Sequence, residues 1–415
     1  MIVPDYFMAA PRHLNLAYLK INAQRANAFY YTAFVLYTAA SWINLTVFRF
    51  SGWSTGAIVE SSIQLVILGL LCAALIFRPS LQSRQIISIC LILAGFVIWR
   101  VSKEGWLFWT CLFIVCAPEF DQHKLSKIVI CVVLITIAVS TLPIVLGFAQ
   151  MNEMVRSDTG TPRNALGFLH PNNLGLAFSV LAIAFCVWRF ESLKAVYVLL
   201  YVAMAAFVYL VPASKTAAVS IIATLAVWLT VSMMEKKKWR KYAIYVMAGI
   251  SLAAMLFSLL VMIVYDNSGI FTVLMNKLLS GRPYYSHQYY AASGIRFLGN
   301  SFSDGPVLMA DGVKTSFLVD NAFDHVLLRY GLLSFILLFG AIAVVYGKAL
   351  VARIDLSLVC GLTLFMLMGV TEAFVCRVEC NYLLISLAFV FGTNSSRLLK
   401  SGYMSTCPAH LSSYR

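Results

Sequence analysis

Charge is scarce in this 415-residue chain, where Asp, Glu, Lys and Arg make up 12% against 61% hydrophobic residues. That fraction is about half what an ordinary soluble domain carries, and it excludes one. Acidic residues are scarcer still, 17 against 31 Lys and Arg, for a formal net charge of +14. No alternating ten-residue segments with a polar face appear, which excludes a transmembrane barrel. Zinc and calcium ligand spacings are missing, so neither a protein-held metal nor a cofactor is expected. No soluble face interleaves basic residues with aromatics, so nucleic acid is not an expected partner. Residues 1–195 and 196–415 show no self-similarity, which counts against a transporter or flippase built from two related halves.

What fills the chain is a succession of apolar runs sized to cross about 30 Å of hydrocarbon. The expected fold is all-α: a polytopic membrane protein of about twelve helices, near 28–48, 57–77, 85–101, 105–119, 127–149, 172–190, 194–212, 216–234, 242–265, 322–346, 356–376 and 380–394. Residues 1–27, with Pro4, Pro11, Arg12, His13, Lys20 and Arg25 among short apolar runs, read as a retained cytoplasmic interfacial segment. Residues 28–394 form the membrane domain, and 395–415 a cytoplasmic tail.

Lys and Arg set the orientation. With both termini inside, the cytoplasmic side receives Arg78, Arg84, Lys124, Lys127, Arg189, Lys194, the run EKKKWRK at 235–241, Lys348, Arg353, Arg397 and Lys400, as the positive-inside rule asks. The positive charge then reports topology and contact with anionic lipid. The ten cysteines lie mainly in apolar runs and read as small buried hydrophobes. Cys376 and Cys380 in CRVEC, at a predicted outer end, are close enough in sequence to pair if oxidised.

Two outward segments interrupt this pattern, 150–171 and the long loop 266–321, and loops of such length are usually functional or disordered. They carry Arg156, Arg163, Arg282 and Arg296 on the side the positive-inside rule depletes, with Arg329 just inside the next span. Guanidinium groups hold phosphate bidentately, so a lipid diphosphate is one partner for them; headgroup contact, or pairing with Asp158 and Asp304, is the other reading. Gly281 before Arg282 permits close backbone approach and lets that side chain reach back to the bundle.

Within RNALGFLHPNNLG at 163–175, Pro171 fits a first helical turn, with Asn172 and Asn173 at its mouth. Open amides there would seat an anion; alternatively His170 or Asn172 only caps the helix. In LVDNAFDHVLLRYGLL, Asp320 and Asn321 stand at the water boundary, followed by Asp324 and His325, with Arg329 one turn beyond His325. A carboxylate beside cations could take a proton from a sugar hydroxyl or be half of a structural ion pair. Tyr284, Tyr285, Tyr289 and Tyr290 offer sugar-stacking faces or interfacial anchors.

RNALGFLHPNNLG, PASKTA at 212–217, LLSGR at 278–282 and DNAFDHVLLRYGLL at 320–333 follow one another in the order and membrane spacing of Wzy-type polysaccharide polymerases. Over about 150–390 the chain resembles that family, part of the group that includes O-antigen ligases. The resemblance implies a metal-independent, inverting glycosyltransferase at the outer face of the bacterial cytoplasmic membrane. It would transfer a growing glycan from undecaprenyl diphosphate to the next lipid-linked repeat unit. Its expected partners are that lipid-linked oligosaccharide, membrane lipids, a chain-length regulator and a flippase. Arg163 and Arg282 would hold the diphosphate, with His170 and Asn172 shaping the cleft. Arg329 would assist, and Lys215 and Glu372 match polar positions. Ligases carry His before Asn where this chain has Asp320 and Asn321, which favours a polymerase and leaves Asp320 and His325 both open as proton acceptor. A ligase, a lipid-oligosaccharide flippase and a non-catalytic scaffold are the alternatives.

Overall fold

The computed structural model describes residues 12–390 except 53, 79–84, 119, 149–152, 156–159, 161, 267, 303–306, 309–313, 316–318 and 353. Its helices in chain order are α1 (Arg12–Ile43), α2 (Gly56–Ile76), α3 (Gln85–Ser102), α4 (Trp106–Cys116), α5 (Gln122–Val145), α6 (Pro171–Arg189), α7 (Ala195–Leu210), α8 (Lys215–Lys236), α9 (Arg240–Val264), α10 (Ile270–Leu278), α11 (Arg282–Ser293), α12 (Ala322–His325), α13 (Gly331–Val351) and α14 (Leu356–Met368). A π-helical turn, Val326–Tyr330, joins α12 to α13. The described strands are short antiparallel pairs: β1 (Glu153–Val155) with β2 (Pro162–Asn164), and β3 (Val307–Leu308) with β4 (Lys314–Thr315).

Six helices are long and apolar enough to cross a membrane: α2, α5, α6, α8, α9 and the run Ala322–Val351. Leu65, Val219, Leu260 and Ile336 stand exposed on such helices, as side chains in contact with lipid would. By contrast α4 and α14, with 11 and 13 residues, extend only about 16–20 Å at 1.5 Å per residue. Both are packed almost wholly inside the bundle. Of the segment expected as a final span near 380–394, residues 391–394 lie outside the described residues, and Tyr382–Phe389 forms a 3₁₀ helix with Tyr382 to Leu387 buried.

At the start of the chain, α1 already begins at Arg12, within the segment expected to lie at the interface. Leu14, Leu16, Tyr18, Leu19 and Ile21 are helix-compatible residues with no proline between Arg12 and Ile43, so nothing stops the helix earlier.

Two close helix contacts sort the functional residues by end. The start of α6 packs on the start of α8, so closely that a Cβ on Gly175 would lie 2.7 Å from Ser214 Oγ. Near its other end, Val187 of α6 meets Gly361 in the first half of α14. Arg163, before α6, and Thr371, beyond α14, therefore share one end of the bundle. At the opposite end Gln122 donates to Asp355 at 2.6 Å, His123 lies 3.3 Å from the same carboxylate, and Lys348 donates to the Phe389 carbonyl at 2.8 Å.

The long segment 266–321, expected as a loop, contains two helices. Ser280 (φ +56°) and Gly281 (φ +86°) turn α10 into α11 through the left-handed region, where glycine carries no steric cost. Residues 294–300 then clasp the junction at Gly331: the Leu332 and Leu333 amides donate to the Arg296 and Phe297 carbonyls at 3.0 and 3.1 Å. The Asn300 side chain donates to the Leu328 carbonyl at 2.9 Å, and its amide to the Arg329 carbonyl at 3.1 Å. This loop satisfies the backbone groups that the helix break releases, which buried backbone requires. Gly299 has φ +90°, and a Cβ there would lie 2.1 Å from the Arg329 carbonyl oxygen. Gly299→Ala should therefore cost at least about 1–3 kcal/mol from backbone strain alone, read as a lowered thermal unfolding midpoint in detergent.

Candidate functional site

Three clusters of polar side chains gather at the end shared by Arg163 and Thr371. The first is built on β2, where Arg163 pairs in register with Met154. Its Nε donates to the Pro212 carbonyl at 2.9 Å and its Nη2 to Asn172 Oδ1 at 2.5 Å. Lys215, exposed, is the first residue of α8 just after that Pro212 turn. His170 caps α6, its Nδ1 accepting the Asn172 amide at 3.1 Å, while the Asn173 amide donates to the His170 carbonyl at 2.9 Å. Pro171 has no amide proton to offer. The mouth of α6 is thus closed by its own cap, and the open anion seat considered from the sequence is not formed. Because Nδ1 accepts, the ring proton sits on Nε2. Burial, and then the nearby Arg163 charge, lower the His170 pKa and keep the ring neutral.

The second cluster centres on Arg282, the first residue of α11, which is 7% exposed. Its Nε donates to the Thr371 carbonyl at 2.7 Å and its Nη1 to the Leu279 carbonyl at 3.2 Å. Nη2 lies 3.5 Å from Glu372 Oε1 and 3.8 Å from Asp320 Oδ2. The guanidinium thus reaches back to the bundle, as the Gly281 turn suggested. Glu372 is buried, whereas the Asp320 side chain is 49% exposed. Asp320 stands at an opening with protein packed around its base. That partial burial raises its pKa, against the opposing pull of the Arg282 and His325 charges. Asn321 caps α12 by accepting the Phe323 and Asp324 amides at 2.9 and 3.2 Å, and donates through Nδ2 to the Val370 carbonyl at 3.1 Å. It positions the segment that begins with Asp320.

The third cluster forms around Glu104, in the turn between α3 and α4. Its Oε2 receives Tyr330 Oη at 2.5 Å and lies 2.8 Å from His325 Nε2 and 3.3 Å from Arg329 Nε. Burial would raise its pKa, but the charge and hydrogen bond of His325, followed by Arg329 and Tyr330, hold it below the ordinary glutamate value. His325 Nδ1 faces the Val319 carbonyl at 3.2 Å, and Trp106 stacks on the ring with centroids 5.4 Å apart. Both ring nitrogens face oxygen acceptors and the residue is 3% exposed. His325 therefore presents no lone pair to a substrate, and of the two candidate proton acceptors Asp320 is the accessible one. Arg329, expected as a helper on the diphosphate, is directed at Glu104 and, at 3.4 Å, at the Phe302 carbonyl. It is a buried member of the Glu104 cluster.

Comparison with protein families, curated proteins and solved structures finds no match. The chemistry of the site accordingly rests on its own residues.

Of the other expected elements, Tyr289 is fully buried against Phe302, so it is a core residue and not a sugar platform, while Tyr284, Tyr285 and Tyr290 remain half-buried. Cys376 and Cys380 are free and buried. Arg156, Asp158 and Asp304 lie outside the described residues. Two participants escaped the sequence reading. Glu104 was one, although it is the acidic residue in the short SKEGW connection between two apolar runs. The other was the Arg377–Glu379 ion pair in CRVEC, whose guanidinium lies 4.5 Å from the centre of the Trp106 ring. Removing Glu104's charge takes the carboxylate from the buried Arg329 guanidinium, so Glu104→Gln should lower stability by about 3–5 kcal/mol, as breaking one side of a buried pair does. Thermal unfolding in detergent measures it; a midpoint equal to wild type would show that the cluster is not stabilising.

Proposed function

We propose that the protein is a Wzy-type polysaccharide polymerase of the bacterial cytoplasmic membrane, a multi-pass protein with both termini in the cytoplasm and the three clusters at the outer face. The observation that carries this reading is the pairing of Arg282, fixed by two backbone carbonyls and two carboxylates, with the half-exposed carboxylate of Asp320 at one opening. A permanent cation beside an accessible base is what glycosyl transfer from a lipid diphosphate needs. Support comes also from the ordered motifs at 163–175, 212–217, 278–282 and 320–333, and from Asp, not His, before Asn321.

In this mechanism Arg163 and Arg282 bind the diphosphate of the donor, and the His170 Nε2 proton and Lys215 line the approach. Asp320 accepts the proton of the acceptor sugar hydroxyl as its oxygen attacks the anomeric carbon. The bond from that carbon to the phosphate oxygen breaks in the same in-line displacement, so the configuration inverts and undecaprenyl diphosphate leaves, its charge offset by the guanidinium groups. No metal takes part.

The glycan profile of a strain lacking the protein tests the reading. Loss of a polymerase leaves single repeat units transferred or stalled on the lipid carrier. Long polymer left on the carrier would indicate a ligase instead, and repeats retained at the cytoplasmic face a flippase. An unchanged profile after substitution of both Arg163 and Arg282 would leave only a scaffold.

A further inference from the structure

At the end of the bundle opposite Arg282, cationic side chains of α5 and α6 collect on two aromatic rings. Lys127 Nζ, near the start of α5, lies 5.7 Å from the centre of the Trp188 ring, and the Arg189 guanidinium lies 3.9 Å from the same centre. Nearly one turn before Lys127, Lys124 Nζ stands 3.6 Å from the centre of the Tyr31 ring. Phe185 packs edge-on against Trp188 at 5.9 Å, so the indole that gathers two cations is itself held in place.

Among the described residues no acid neutralises these charges. Asp121 caps α5 by accepting the Lys124 amide at 3.0 Å, and Glu191 is exposed, but neither carboxylate forms an ion pair with Lys124, Lys127 or Arg189. Arg189 Nε is buried and donates to no acceptor. Two like charges held on one ring repel each other, and an anion shared between them removes that repulsion. The neighbouring surface identifies the anion. Leu134, Ala138 and Val145 follow Lys127 at helical spacing on one face of α5 and are exposed. Tryptophan, lysine and arginine at such a helix end meet the headgroups of the bilayer, with acyl chains beyond them; a free anion would make no use of the apolar stripe.

We propose that Lys127 and Arg189, gathered on Trp188, bind the phosphate of one anionic phospholipid, with Lys124 as a third cation and the acyl chains along the outer face of α5. The lipid ties the start of α5 to the end of α6. The inference stands apart from the polymerase reading, because its test contains no glycan substrate.

Purified full-length protein in detergent is titrated with phosphatidylglycerol and with phosphatidylcholine of the same acyl chains, and bound lipid is counted by native mass spectrometry. One phosphatidylglycerol should stay bound under conditions that strip phosphatidylcholine. Each cation facing an anionic lipid contributes roughly 5-fold, so Lys127→Gln should weaken the first phosphatidylglycerol about 5-fold, and Lys127→Gln with Arg189→Gln about 25-fold. Lys236→Gln with Lys238→Gln removes the same charge from exposed positions at the same end, and should change that affinity less than about 2-fold, since only diffuse attraction is lost. Equal retention of the two lipids overturns the proposal. Equal losses in the two double variants also overturn it, because they would mean a general attraction to anionic membrane. So does inorganic phosphate that raises the thermal unfolding midpoint as far as phosphatidylglycerol does, which would make the ligand a free anion. Lys127→Gln changes one exposed side chain, and its unaltered affinity would refute the site even if the Arg189 variant does not fold.

Discussion

On the polymerase reading, Arg282→Ala should abolish polymer, lowering turnover of lipid-linked repeat units by about 10²–10³-fold or more, the scale for removing one preorganised donor from a developing anion. Two effects combine in that loss. The donor diphosphate loses its fixed cation, and Glu372 and Asp320 lose the charge that offsets theirs. Arg282→Lys should recover little, because one ammonium group cannot point simultaneously at the Thr371 and Leu279 carbonyls and at two carboxylates. Purified protein in nanodiscs with undecaprenyl-diphosphate-linked repeat unit measures this directly, with a thermal melt to establish that the variant is folded. A folded Arg282→Ala enzyme with near wild-type turnover would remove Arg282 from the mechanism.

Asp320→Asn is expected to lower kcat by about 10²–10⁴-fold, the usual contribution of a positioned base, while KM for the donor changes little. Glu372 still holds Arg282 in that variant, so the two effects separate. The pH profile supplies a second reading. Transfer needs Asp320 ionised, and partial burial raises its pKa. Activity should therefore fall as pH drops through a value above the ordinary aspartate figure of about 3.9. Since the Arg282 charge pulls that pKa down, the residual activity of Arg282→Lys or Arg282→Ala should show the acid limb at the same or higher pH, not lower. An Asp320→Asn variant with an unchanged acid limb would assign the base elsewhere.

What could be seen in the sequence was local. Pro171 after His170 announced the start of α6, and Gly281 announced the close backbone approach that lets Arg282 reach back to the bundle, because both signals are written in adjacent residues. Apolar runs located the long helices for the same reason. The rest depends on distant partners. Glu104 and His325 are separated by 221 positions, and nothing near either residue specifies the other. The hydropathy of 322–351 is continuous, so the break at Gly331 is invisible there. It arises because Gly299 and Gly331 bring two backbones into contact, each at a positive φ. His325 shows the same dependence: four-residue spacing put it near Arg329, and both do meet Glu104, but only the fold shows that Glu104 and the Val319 carbonyl face its two nitrogens.

The interruption at Gly331 has a mechanical consequence. Helix α13 alone, at 21 residues, is about 31 Å long and can span the hydrocarbon without help from Ala322–Tyr330. A membrane of different thickness tilts or displaces a spanning rod. Here the rod meets the Asp320 segment at a junction that residues 294–300 clasp on both sides, and that segment is tethered in turn to Glu104, Val370 and Gly369. A displacement of α13 therefore reaches the Asp320 segment through that clasp and not along one continuous helix.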